Sequence, residues 1–83
     1  MTHYTDPAQF VDDCSTGADI EFTYHGVGYG VLGWTTPGPT AYRKREYGFL
    51  EQQFTSADAL LDGFLVDGVP LRAIILDVDL QLH

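Results

Sequence analysis

The sequence is short of cysteine, of positive charge and of long apolar runs, and each shortage excludes a class of protein. Cys14 is the single cysteine, so no internal disulfide can form. No apolar stretch approaches the roughly 18 residues that a membrane helix requires. Met1-Thr2-His3-Tyr4-Thr5-Asp6 lacks the basic flank and apolar run of a secretory signal, so a reducing, cytosolic address is expected and no membrane partner. Four basic residues stand against twelve acidic ones, giving a net charge of −8 and a pI near 4.3. Neutralisation of phosphates by Lys and Arg supplies most nucleic-acid affinity, so nucleic-acid binding is not expected.

What remains is an 83-residue chain with 45% hydrophobic and 13% aromatic residues, enough to build a modest core in one domain spanning 1–83. A domain of this size buries only about 60% of its unfolded surface. Its stability margin is therefore small, and a partner or a second copy in a homodimer could compensate. The charge is uneven: residues 1–21 carry −5, residues 22–45 carry +3, and residues 46–83 carry −6. The positive third also holds Phe22, Tyr24, Tyr29, Trp34 and Tyr42, which suggests a two-sided molecule.

Asp6-Pro7-Ala8-Gln9 announces a first helix, with Asp6 as cap, Pro7 at the first helical position and Gln9 completing a capping box. Phe10, Val11 and Cys14 fall on one face, and Gly17 ends it. Asp19-Ile20-Glu21-Phe22-Thr23-Tyr24 alternates polar and apolar residues, the period of a half-buried strand with Ile20, Phe22 and Tyr24 inward. His25-Gly26 is a turn, and Val27 to Trp34 returns as a second strand containing Gly28, Gly30 and Gly33. Thr35 to Thr40, with two prolines around Gly38, is a loop. A third strand is predicted from about Ala41 to Gln52, with Tyr47 and Phe49 on one face and Leu50 on the other.

Thr55 or Ser56 caps a second helix, in which Ala57, Leu60, Leu61, Phe64 and Leu65 repeat at helical spacing. Asp67-Gly68 turns the chain, and Pro70 begins a third short helix carrying Leu71, Ile74, Ile75 and Val78. Asp77-Val78-Asp79-Leu80-Gln81-Leu82 reads equally as a short edge strand or as more of that helix. The predicted class is α+β: an N-terminal helix, a three-stranded antiparallel sheet, and two C-terminal helices packed on one face.

Gly28-Tyr29-Gly30-Val31-Leu32-Gly33 matches the dinucleotide fingerprint in letters, but that motif needs a helix after the glycines, and Pro37 and Pro39 prevent one. A twisted or bulged strand is the better reading. His3, His25, His83 and Cys14 lack zinc-ligand spacing, and Ser15, Ser56 and Cys14 lie on predicted helices or caps rather than beside a base. No catalytic constellation, metal or cofactor is therefore expected. Arg43, Lys44 and Arg45 beside Tyr42 suit recognition, because Arg and aromatic residues dominate interface hot spots. Basic residues also guard sheet edges against aggregation.

In order, the helix, Asp19 to Gly26, Phe54 to Leu61 and Val66 to Ile74 resemble a loose group of small, uncharacterised bacterial proteins, also seen near mobile elements. The glycine-rich second strand and the Pro37-Gly38-Pro39 loop depart from that group's pattern. The resemblance implies a fold and no catalytic residue. The functional expectation is a non-enzymatic protein-binding or inhibitor-type module, meeting a basic partner through Asp58, Asp62, Asp67, Asp77 and Asp79, with Tyr42, Arg43 and Arg45 as a second contact group. The alternatives are a small-molecule site near Tyr24, His25, Tyr29 and Trp34, and a structural homo-oligomer.

Overall fold

A computed structural model of the chain describes residues 3–45 and 48–81; Tyr47, Leu82 and His83 lie outside the described residues. The first helix, α1 (Pro7–Ser15), begins as its residues dictate: the Asp6 carboxylate accepts from the Ala8 N–H at 2.8 Å, and Gln9 reaches back to the Asp6 N–H at 3.3 Å. Asp6→Ala should lower stability by about 1 kcal/mol, measured by urea unfolding, because it orphans these first-turn donors.

Two hairpins and a returning tail make the sheet. β1 (Asp19–Tyr24) pairs with β2 (Val27–Leu32) through His25-Gly26, both at positive φ as the two-residue type I′ turn requires. The predicted third strand is two strands, β3 (Thr40–Arg45) and β4 (Gly48–Gln53), folded back on each other. Gly48, at a φ of 98° that favours glycine, opens the returning strand. The second helix, α2 (Ala57–Gly63), stops earlier than its apolar period suggests, because Phe64 takes an extended conformation that leads into a small hairpin, β5 (Leu65–Val66) and β6 (Val69–Pro70). The third helix, α3 (Leu71–Ile74), is one turn long, and the tail is a strand, β7 (Asp79–Gln81), antiparallel to β1.

The molecule is thus α+β with an N-terminal helix and an antiparallel sheet, as expected. Among the described residues the sheet has five strands in the order β4-β3-β2-β1-β7, not three, and the helices number three. Strand alternation sends Ile20, Phe22, Tyr29, Val31 and Ala41 to one face, where they join Phe10, Cys14, Leu60, Leu61, Phe64, Leu71 and Ile75 in a single core. Phe22 and Tyr29 stack at 5.5 Å between ring centres, and Tyr29 meets Phe64 edge-on at 6.2 Å. This helical layer stops short of the β4 edge, where Arg43 and Leu50 stay exposed on the same face. No described helix lies on the opposite face. None of the three helices is long and apolar enough to cross a membrane.

Candidate functional site

The five acidic residues proposed for contact do not form one free patch. Asp58 and Asp62 lie on α2 and share Arg72, whose guanidinium reaches them at 3.2 and 2.6 Å. The Arg72 hydrogen bond holds the Asp62 carboxyl below its ordinary range. Asp67 occupies the tip of the β5-β6 hairpin at φ 54, and meets His25 at the tip of the β1-β2 hairpin at 3.2 Å. Asp79 lies 3.5 Å from His3 and opposite Thr23. Asp77 is exposed and has no ion-pair partner among the described residues.

The basic run is split by strand alternation. Arg43 points to the helix side of the sheet, while Tyr42 and Lys44 share the uncovered face; Arg45 ends β3, and its side chain is outside the described residues. Gly28 and Gly30 lie two apart on the same uncovered face of β2. That strand keeps an unbroken register with both neighbours, so these glycines mark a close approach and not a bulge. A Cβ on Gly30 would sit 2.1 Å from the Tyr42 ring, and one on Gly28 would sit 2.9 Å from the Lys44 chain. Both side chains therefore lie flat across β2 and reach Glu21 on β1, Tyr42 at 3.5 Å and Lys44 at 3.7 Å. Burial, and then the nearby Glu21 carboxylate, push the Tyr42 phenol upward.

At the end of this face lies a shallow groove of about 660 Å3 lined by Trp34, Thr35, Thr36, Thr40, Glu51 and Gln53. Trp34 is 61% exposed yet fixed, because its indole N–H donates to Asp19 at 2.7 Å. The Thr35 and Thr40 hydroxyls are 3.0 Å apart, and the Gln53 amide donates to Thr36 O, which ties the loop to β4. Glu51 has no hydrogen-bond or ion-pair partner among the described residues. Tyr24, Tyr29 and Trp34 do not line a common cleft: Tyr29 is in the core, Tyr24 stacks on His25 at 4.0 Å, and Trp34 stands on the other side of the sheet. The composition already contained Trp34. Glu51, Gln53 and the glycine lane were missed, although the period-2 placement of Gly28 and Gly30 was a legible sign that their strand face is crossed by a neighbour.

Elsewhere, Ser56 caps α2 by accepting from Ala59, and the Ser15 hydroxyl donates to Val11 O within its helix. Among the described residues no group of three or more His, Cys, Asp and Glu side chains could hold a metal ion. Smaller hollows of about 360 and 340 Å3 lie beside His3 and Asp12, and between the end of α1 and the Pro37-Gly38-Pro39 loop. Cys14 lines the second of these, and burial pushes its thiol up from 9.0 to about 11; burial also raises Tyr4, which donates to Asp13 at 2.7 Å. Both groups are neutral when protonated, so an unfolded chain releases their protons at a lower pH than the folded one. Their contribution to stability should be flat well below pH 9, and stability should fall by up to about 1.4 kcal/mol per pH unit toward 11 from Cys14 alone. Urea unfolding across that range checks this, and Cys14→Ala should flatten the slope.

No protein-family model, curated protein or solved structure matches this chain.

Proposed function

We propose that the chain is a non-enzymatic protein-binding module that takes up an extended segment of another protein along the free edge of β4. The observation that carries this reading is the state of that edge. The Phe54 N–H donates to Pro39 O at 3.0 Å, one pair beyond Thr40 and Gln53. Hydrogen-bonded pairs alternate along an antiparallel ladder, so Gly48, Leu50 and Gln52 bond β3 while Phe49, Glu51 and Gln53 turn their backbone groups outward.

Edge strands are ordinarily guarded by shortness, lysine, proline or a bulge. β4 runs six residues, contains no lysine or proline, and keeps an unbroken register, with Leu50 56% exposed beside its free edge. An added strand satisfies such backbone groups and gains specificity from alternate side chains. The acidic residues Asp58, Asp62, Asp67, Asp77 and Asp79 supply the longer-range field that steers a basic partner toward the molecule. Strand addition is favoured over an inhibitor that mimics phosphate, because Asp58 and Asp62 are engaged by Arg72. The lone buried thiol suits a reducing, cytosolic setting.

The test is selection of short random peptides on the protein, followed by amide hydrogen exchange of each complex. Bound peptide should slow exchange at Phe49, Glu51 and Gln53 and leave Leu50 and Gln52 unchanged. Binding that leaves those three amides unprotected overturns the proposal, as does failure to select any peptide. Protection that rises with protein concentration alone would assign the edge to a second copy and overturn it too.

A further inference from the structure

Resting on the strand-addition reading, we infer that the segment taken up by β4 is basic, and that one of its Arg or Lys side chains lies against the Trp34 indole with Glu51 as counter-charge. Two of the three outward-facing residues of the edge are also walls of the groove. Glu51 and Gln53 turn their backbone groups away from the sheet and their side chains onto the uncovered face. Alternate side chains of an added strand project onto that same face, at the distance of a cross-strand pair, so they enter the groove that Trp34 closes.

The chemistry of that groove selects a cation. Its one charged lining residue is Glu51, whose carboxylate has no partner among the described residues, and behind Trp34 stands the Asp19 carboxylate on the indole N–H. A guanidinium or ammonium group is drawn to an indole face, tryptophan being the best of the aromatic rings for this contact. Thr35, Thr36, Thr40 and Gln53 leave the Trp34 indole as the one large apolar wall among the lining residues, so an aliphatic side chain would be covered on a single side. The nearest described cation on this face, Lys44, is drawn away across Gly28 to Glu21. The groove is therefore ready for a positive charge that none of the described side chains supplies.

Trp34 is the only tryptophan, so its fluorescence reports the groove directly. The probes are an alternating Thr-Arg peptide long enough to span β4 and the same peptide with citrulline, which is neutral and nearly isosteric, in place of arginine. The arginine peptide should perturb Trp34 emission and bind about tenfold more tightly than the citrulline peptide, the scale of one partly desolvated cation–π contact with its counter-charge. Glu51→Gln should bring the two affinities close together. Asp12→Asn, an exposed position beside Leu80 of β7 at the opposite edge of the sheet, should leave their ratio within about twofold, since surface charges beyond a Debye length are screened.

Equal binding of both peptides, with the β4 amides protected in each complex, overturns the basic specificity and leaves strand addition standing. Preference for arginine without protection of Phe49, Glu51 and Gln53 overturns both, and an equal effect of Asp12→Asn and Glu51→Gln reduces the attraction to diffuse charge and overturns the basic specificity alone. Glu51→Gln is a substitution at an exposed position and keeps the fold intact for this comparison.

Discussion

Phe22→Ala is expected to lower the unfolding free energy by about 3–5 kcal/mol, the range for truncating a fully buried aromatic. Phe22 is 1% exposed and sits on β1, flanked across the ladder by Tyr29 on one side and Leu80 on the other. Its ring stacks on Tyr29, which in turn meets Phe64 below the helices, so truncation opens a cavity where the sheet and helical layers join. Neither neighbour can collapse into the space without abandoning its own strand or helix contacts. A domain of this length is typically stable by about 4–12 kcal/mol, so the loss approaches the whole margin in the lower half of that range. Each kcal/mol moves the midpoint of a small domain by about 4–8 °C, and the midpoint should fall by at least ten degrees or so in a calorimetric scan. Leu50→Ala, at an exposed edge position, should stay within about 0.5 kcal/mol. A loss below about 1 kcal/mol for Phe22→Ala would contradict the packing described above.

The contrast between these positions also shows how far the sequence could be read. The alternation from Asp19 to Tyr24 gave the inward set Ile20, Phe22 and Tyr24, and the capping signals at Asp6 and Ser56 placed two helix starts, because each is a local rule with a local cause. The residues of the third helix were recognised as apolar at helical spacing, and Leu71, Ile74, Ile75 and Val78 are all buried. Their backbone is helical only through Ile74, because burial fixes which side chains point inward and not how the chain carries them. The segment from Ala41 to Gln52 reads as one strand for a related reason: where the helical layer stops short of the β4 edge, both faces are wet, so exposed residues such as Arg43, Glu51 and Gln52 carry no alternation that marks the turn. The groove was the least legible feature. Trp34, Glu51 and Gln53 come from a loop and an edge strand, and only the fold-back of β4 on β3 brings them together.

That fold-back depends on Gly38, and Gly38→Ala is the second large effect expected. The loop from Gly33 to Pro39 passes so close to the start of α2 that a Cβ on Gly38 would lie 2.2 Å from the Phe54 carbonyl oxygen and 2.7 Å from the Thr55 carbonyl carbon. These are backbone atoms, and they cannot swing aside as the Tyr42 ring could for a substitution at Gly30. The Phe54 N–H is held by Pro39 O, and Gly38 O accepts from both Thr35 and Gln53, so moving the loop breaks several bonds together. Overpacking at such a site costs about 1–3 kcal/mol, and a backbone collision belongs at the upper end or beyond. Gly26→Ala gives the comparison: its Cβ would meet nothing within 4 Å, and only its positive φ of 79° opposes the change, at about 1–2 kcal/mol. Urea unfolding should therefore rank Gly38→Ala as the more damaging. Because the same loop carries Trp34 and anchors Gln53, Gly38→Ala should also quicken exchange at the Phe54 amide and shift Trp34 emission in the folded protein, whereas Gly26→Ala, at the far end of the sheet, should leave both unchanged.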